Sequence, residues 1–311
     1  MKSKKTTVML SVLAAVCLAS CSNDEEVNDN DGAVRFTAAI GNQAVATPQS
    51  RAAGTVWGAG DKIGIFMVKN GTNDIAESAL NKEFTTADGT GNFTPVTGDE
   101  IYYPMEGSAV DFISYYPYDA DATLDLGIFV EIGTTQTSAS QAGFDLLWAK
   151  ADNAGSGYSK GYAGAVELQF GHCLSKLTMN CKVDASVGVS TLDGATVTIM
   201  GMHTRNYFDL KTATLGHSEA SLDIVPNKLP TAPTGFDATY DAVIMPDDYK
   251  KGIVSVKFEI NAETFVWDVG AMKFEAGNEY IYEVLITRTG VQGKGTIAPW
   301  SPVNKGGVTA E

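Results

Sequence analysis

Apolar and polar residues alternate with a period of two in several short runs along this chain. In the cleanest run Val254, Val256, Phe258 and Ile260 face one way while Ser255, Lys257 and Glu259 face the other, the pattern of a half-buried strand. The same beat recurs at Ile63, Ile65 and Met67, at Val166, Leu168 and Phe170, at Leu177, Met179, Cys181 and Val183, and at Tyr280, Tyr282, Val284 and Ile286. Clusters of Gly, Asn, Asp, Ser and Pro, such as residues 87–92 and 246–248, separate the runs and supply turns. Residues 74–84 predict one short helix; elsewhere helical spacing does not persist for three turns without a Gly or Pro. The pattern predicts an all-β chain of short strands arranged in antiparallel sandwiches.

The beginning of the chain follows a different rule. Lys2, Lys4 and Lys5 precede an apolar stretch from Val8 to Leu18, followed by Ala19, Ser20 and Cys21, the layout of a secretory signal peptide. The stretch is too short to span a bilayer, which takes about 20 residues. Leu18, Ala19 and Ser20 before Cys21 resemble the bacterial lipobox, which implies cleavage between Ser20 and Cys21 and acylation of Cys21. Two or more acyl chains anchor a protein stably where one does not. Ser22, Asn23, Asp24, Glu25 and Glu26 follow as an acidic tether, similar to the surface-export signal of lipoproteins in some Gram-negative bacteria. Residues 1–20 are thus expected to be the signal and residues 21–33 the tether.

Two breaks divide the remainder. Residues 151–164, with Gly155, Gly157, Gly161 and Gly164 and few bulky apolar groups, form the expected seam between an N-terminal domain, 34–158, and a C-terminal domain, 159–311. A second loop, residues 41–54, follows the first strand candidate at residues 34–40.

The chain carries 22 basic and 37 acidic side chains. Without the three lysines of residues 1–20 the balance is 19 against 37, a net charge of −18, which repels nucleic acid and anionic lipid. Cys17 leaves with the signal and Cys21 is committed to lipid, leaving Cys173 and Cys181. On one extended strand these two would lie roughly 26 Å apart, beyond the reach of a disulfide, so they read as small apolar residues.

Candidate chemistry is sparse. His172, His203 and His217 stand alone, with no HExxH or paired-Cys spacing to build zinc. Gly58, Gly60 and Gly64 precede a strand where a phosphate loop would have to open a helix, so they read as a turn. Ser156 lacks the frame of a nucleophile elbow and reads as linker. Asp119, Asp121 and Asp125 lack an EF-hand frame and read as a solvated loop. No catalytic residue and no cofactor are assigned.

Several phrases in order behind the lipobox resemble the fimbrillin family, the Mfa-like and major-fimbrium-type pilus subunits of gut and oral Gram-negative anaerobes. They are Val34-Arg35-Phe36-Thr37-Ala38, Trp57 with Gly60-Asp61-Lys62-Ile63-Gly64-Ile65, Tyr102-Tyr103-Pro104, and Val110-Asp111-Phe112-Ile113-Ser114-Tyr115-Tyr116-Pro117. Further on come Asp145-Leu146-Leu147-Trp148-Ala149, Phe170-Gly171-His172-Cys173-Leu174-Ser175-Lys176-Leu177, Phe274-Glu275-Ala276-Gly277-Asn278-Glu279-Tyr280 and Ile297-Ala298-Pro299-Trp300. The resemblance implies two transthyretin-like antiparallel β-sandwich domains in tandem. It implies a non-enzymatic fimbrial subunit, lipid-anchored at the outer membrane and exposed on the surface.

The family's assembly, carried onto these residues, implies proteolysis after Arg51 and before Ala52. The strand holding Val34, Phe36, Ala38 and Ile40 would then leave, and a strand from a neighbouring subunit would fill the groove. The donor would come from the tail holding Ile297, Trp300, Val303 and Val308, although Pro299, Pro302 and Gly306-Gly307 argue against a long regular strand there. The implied partners are other fimbrial subunits, the outer membrane through Cys21, and host or bacterial surface ligands. A second reading is a monomeric surface lipoprotein or tip adhesin that binds a glycan or protein on aromatics such as Tyr116, Tyr118 or Trp300.

Overall fold

The computed structural model describes residues 32–41, 56–216, 218 and 220–300, and in it the alternating runs are strands. The expected cleavage and lipidation site at Ser20 and Cys21, the expected processing site at Arg51 and Ala52, and Val303, Val308 and His217 lie outside the described residues. The first half contains β1 (Phe36–Ile40), β2 (Lys62–Lys69), β3 (Lys82–Thr85), β4 (Asn92–Pro95), β5 (Val110–Tyr116), β6 (Ile128–Glu131), the one-turn helix α1 (Ser138–Gln141), β7 (Leu147–Ala151) and β8 (Val166–His172). The second half continues with β9 (Ser175–Val183), β10 (Thr196–Met200), β11 (His203–Asp209), β12 (Thr214–Leu215), β13 (Ala220–Ser221), β14 (Asn227–Lys228) and β15 (Ala238–Ile244). It ends with β16 (Asp247–Tyr249), β17 (Ser255–Ile260), β18 (Glu263–Asp268), β19 (Met272–Phe274), β20 (Asn278–Thr287) and β21 (Gly290–Pro299).

The chain is nearly all-β, as its periodicity requires, but the sheets are not wholly antiparallel. Seven strands close a barrel in the order β1-β4-β3-β2-β5-β7-β8. Its seam is the parallel pair β1 and β8, with Phe36 opposite Val166 and Ile40 opposite Phe170. The largest sheet of the second half runs β14-β15-β9-β20-β21 and contains another parallel pair, β9 with β20. Strand pairing crosses the glycine-rich stretch at 151–164 in both directions. β8, which follows it, closes the barrel, and β6, which precedes it, pairs with β11.

Two cores share one layer of sheet. Ile63, Ile65 and Met67 of β2 and Phe112 of β5 point into the barrel with Phe36, Phe84 and Phe170. Phe66 and Val68 on the other face of β2, with Ile113 and Tyr115 of β5, belong to a second core with Leu177, Met179 and Val256. Every residue of β5 is buried, so the run from Val110 to Tyr116 cannot alternate. Gly64 lies under the Tyr115 ring, where any Cβ would collide with the phenol carbons.

The helix expected over residues 74–84 is absent. Glu77, Ser78 and Asn81 have positive φ, and the backbone here bonds sideways to β2, Ala76 N–H to the Met67 carbonyl and Met67 N–H to the Ala79 carbonyl. Edge pairing with β2 wins over a short helix that buries little, and β3 begins at Lys82. The two cysteines are also not on one strand. Cys173 lies in the turn after β8 and Cys181 lies in β9, and both are free thiols. Burial pushes the Cys181 thiol up to about 12, followed by the Asp237 charge.

Between β5 and β7 the chain leaves the barrel and grips the other half. The Gln136 side chain is buried and forms two bonds with the β15 backbone, Nε2 donating to the Val243 carbonyl at 2.8 Å and Oε1 accepting from Val243 N–H at 2.8 Å. Beside it the buried Asp241 carboxylate accepts from Asn227 Nδ2 at 2.8 Å and pairs with Lys176 Nζ at 2.9 Å. Gln141 Nε2 adds a bond to Asp241 Oδ1 at 3.2 Å. A buried backbone group that loses its partner costs about 1–3 kcal/mol. Gln136→Ala is therefore expected to destabilise the chain by about 2–4 kcal/mol, read as a lower denaturation midpoint in urea.

Burial also holds the Tyr103, Tyr240 and Tyr282 phenols up to about 12. The folded state keeps these protons after the unfolded chain has lost them, near pH 10. Their contribution is thus fully present below about pH 10 and is lost as pH rises from about 10 to 12. A urea midpoint that falls as pH rises from about 10 to 12 is the expected profile.

Candidate functional site

The strand singled out at residues 34–40 is the one that closes the barrel. β1 begins at Phe36, two residues later than expected, but Val34 is already buried and its N–H donates to the Ile101 carbonyl at 2.8 Å. Val34, Phe36, Ala38 and Ile40 are all buried. The Phe36 ring meets Phe84 and Phe112 edge to face, with centroids 5.1 and 5.0 Å away.

The groove that β1 fills is lined with aromatic rings. Trp57 packs edge to face on Phe93, Tyr116 and Phe170 at 5.1, 5.5 and 5.2 Å. Its indole Nε1 donates to the Ala38 carbonyl at 2.9 Å, so the groove holds the backbone of β1 as well as its side chains. Ala38 N–H donates to the Gly91 carbonyl at 2.8 Å. Gly91 has a φ of +85°, and a Cβ there would collide with the Ala38 carbonyl oxygen, so only glycine lets β1 approach this closely. On the other side β8 pairs with all five residues of β1, while β4 pairs with two. Taking β1 away would leave an open slot between β4 and β8.

The other expected positions are dispersed. Ile297 lies in β21 opposite Tyr280 and is 58% exposed. Trp300 follows β21 directly and is 7% exposed, its ring stacked 4.0 Å from that of His172. β21 is a regular ten-residue strand paired with β20 along its whole length, while Pro302 and Gly306-Gly307, which argued against a long regular strand, lie outside the described residues. Pro299 is its last residue, where no further ladder bond is needed. Among the suggested ligand platforms, Tyr116 and Trp300 are buried and Tyr118 is half-buried. The exposed aromatic pair is instead Phe129 on β6 with Tyr207 on β11, centroids 5.2 Å apart.

The glycines at 58 and 60 form a turn into β2, with Gly58 N–H donating to Asp61 Oδ2 at 2.7 Å. Asp125 pairs with Lys211 at 2.6 Å, and Asp119 caps the Asp121 N–H. No group of three or more His, Cys, Asp or Glu side chains among the described residues could hold a metal ion. Spacing gave no sign of the cluster of His203, Asp247 and Ser218, which long-range pairing brings together. His203 Nδ1 lies 2.8 Å from Asp247 Oδ2, and Ser218 Oγ donates to the same oxygen at 3.3 Å. Burial pushes the Asp247 carboxyl up, but bonds from Asp248 N–H and His203 outweigh it and leave the group below its usual range. The hydroxyl faces the carboxylate and not the imidazole, so this is no nucleophile relay.

The fold and the groove define a class of β-rich proteins in which a strand, here β1, closes a barrel over an aromatic pocket. Comparison with known proteins narrows this class. The family model described as fimbrillin-like matches residues 50–300. A candidate fimbrium subunit of Bacteroides uniformis, Fim1C, is 30% identical over 98% of each chain. The crystal structure of a candidate cell adhesion protein from Bacteroides uniformis superposes with a TM-score of 0.68 at 26% identity, covering 87% of this chain and 100% of that one. The tip fimbrial protein Mfa3 of Porphyromonas gingivalis shares the fold, with a TM-score of 0.53 at 8% identity over 86% of this chain and 100% of that one. This chain belongs to the fimbrillin-like family.

Truncating a buried Phe costs about 3–5 kcal/mol. Phe36→Ala is expected to destabilise the chain by that amount, read as a lower denaturation midpoint, and to open the β1–β8 seam. Faster amide exchange in residues 36–40 than in residues 63–68 would report the opening.

Proposed function

We propose that this chain is a structural and adhesive subunit of a surface fimbria, exported as a lipoprotein acylated on Cys21 and assembled by exchange of its first strand. In this reading the two halves are transthyretin-like sandwiches, and the barrel of the first is the sandwich closed along one edge by β1. The observation that carries the reading is the position of β1. It is the first strand among the described residues and completes the barrel by a parallel seam, and residues 42–55 join it in sequence to the rest.

The energetics favour a cut as the trigger. Each large apolar side chain of β1 contributes about 1.5–3 kcal/mol by burial, so the strand does not leave while it remains tethered. Cleavage after Arg51 and before Ala52 turns an intramolecular pairing into a bimolecular one and removes the effective concentration that the tether supplies. A donor strand from a neighbour then competes for the same slot, satisfying the open backbone groups of β4 and β8 and refilling the aromatic pocket. The donor in this reading is the C-terminal segment containing Ile297, Trp300, Val303 and Val308. The surviving second reading, an adhesin acting as a monomer, is favoured only by the exposed Phe129–Tyr207 pair.

Treating the full chain with an Arg-specific protease is expected to give a new N-terminus at Ala52 and filaments that lack residues 34–40, while Arg51→Ala stays monomeric. Treated protein that remains a closed monomer with β1 in place would overturn the proposal. Deleting residues 301–311 is expected to abolish filaments without preventing cleavage, as followed by negative-stain microscopy.

A further inference from the structure

The last strand is held very differently from the first. β21 lies at the edge of its sheet, paired with β20 alone, and its side chains are almost entirely exposed. Where it crosses the core it presents glycine. Gly293 lies against the Trp267 ring and Gly295 against the Tyr282 ring, and a Cβ at either position would collide with that ring. Trp267 and Tyr282 are each 5% exposed, so β21 covers two aromatic rings without inserting a side chain of its own.

Val291, beside the hairpin turn, packs part-buried against the core, and at the far end the segment is anchored by the large side chain just after it. Trp300 is buried, and its ring lies nearly parallel to the His172 imidazole, tilted 13° at 4.0 Å. Its N–H donates to the Gly277 carbonyl at 2.8 Å. His172 is itself fixed from behind, with Nδ1 3.0 Å from Asp145 Oδ1. Both members of that pair are buried. Because a carboxylate only accepts, the proton of a neutral His172 sits on Nδ1. The far nitrogen, Nε2, is buried without a partner among the described residues. His172 ends β8, the strand that pairs with β1, and Asp145 immediately precedes the buried pair Leu146 and Leu147 that leads into β7.

We propose that the stack of Trp300 on His172, braced by Asp145, is a pin that keeps β21 on the closed monomer, and that β21 comes away as one piece once the pin is withdrawn. A strand bound by one ladder of hydrogen bonds and an almost flat glycine face opens locally unless its free end is fastened. The fastening here sits on the barrel, so the last strand of the second half is clipped to the closing strands of the first. The pin is a property of the monomer; its part in releasing a donor strand rests on the fibre reading above.

Hydrogen exchange on the full chain, followed by mass spectrometry, tests it. Trp300→Ala is expected to speed exchange across residues 290–299 by about tenfold or more while residues 238–244 of β15 keep their protection. Trp300→Phe, which retains a flat ring on His172, is expected to restore most of the protection in β21. Unchanged exchange in β21 for Trp300→Ala would overturn the proposal. So would an equal rise in β15, since the stack would then be ordinary core. Neither result depends on whether the chain forms filaments, so the pin and the fibre reading can fail separately.

Discussion

The architecture depends on closing one sheet. A strand edge leaves backbone N–H and carbonyl groups unpaired and bare apolar surface beside them, and among the described residues β1 alone lies between β4 and β8. Its four inward side chains and the Trp57 bond to Ala38 satisfy the slot both apolarly and at the backbone. The proposed exchange of β1 draws on that dependence, since the edge it covers must be occupied by some strand.

Much of this was legible in the residues, for a physical reason. Where a strand has one face in a core and one in solvent, as in β8 and β17, alternation reports it directly. The inward set of β1 followed the same rule. β5 escaped it because both of its faces are buried. The spacing at residues 74–84 suggested a helix because apolar residues three or four apart fit either a helix or a loop that drops side chains into a core. Bonds from the flanking loop to β2 decided between them.

Strand partners were not legible at all. Nothing local in Phe36–Ile40 or Val166–His172 says that they run parallel, because pairing direction follows from where the intervening chain returns. In the tail Pro299 counted against a regular strand, yet it stands at the end of β21, after Gly293 and Gly295. Those glycines are where Trp267 and Tyr282 need room, so a residue type that weakens an ordinary strand is what allows this one to lie flat. Trp300, read as a surface platform, is buried because His172 offers it a face, a contact between residues 128 positions apart that no local pattern encodes.

β2 and β5 place side chains in both cores, and Gln136 bonds the barrel's outgoing loop to β15. Tension applied between the two ends of such a molecule finds no hinge at which to bend. The load passes through the shared layer, whose strands cannot move without disturbing both cores at once.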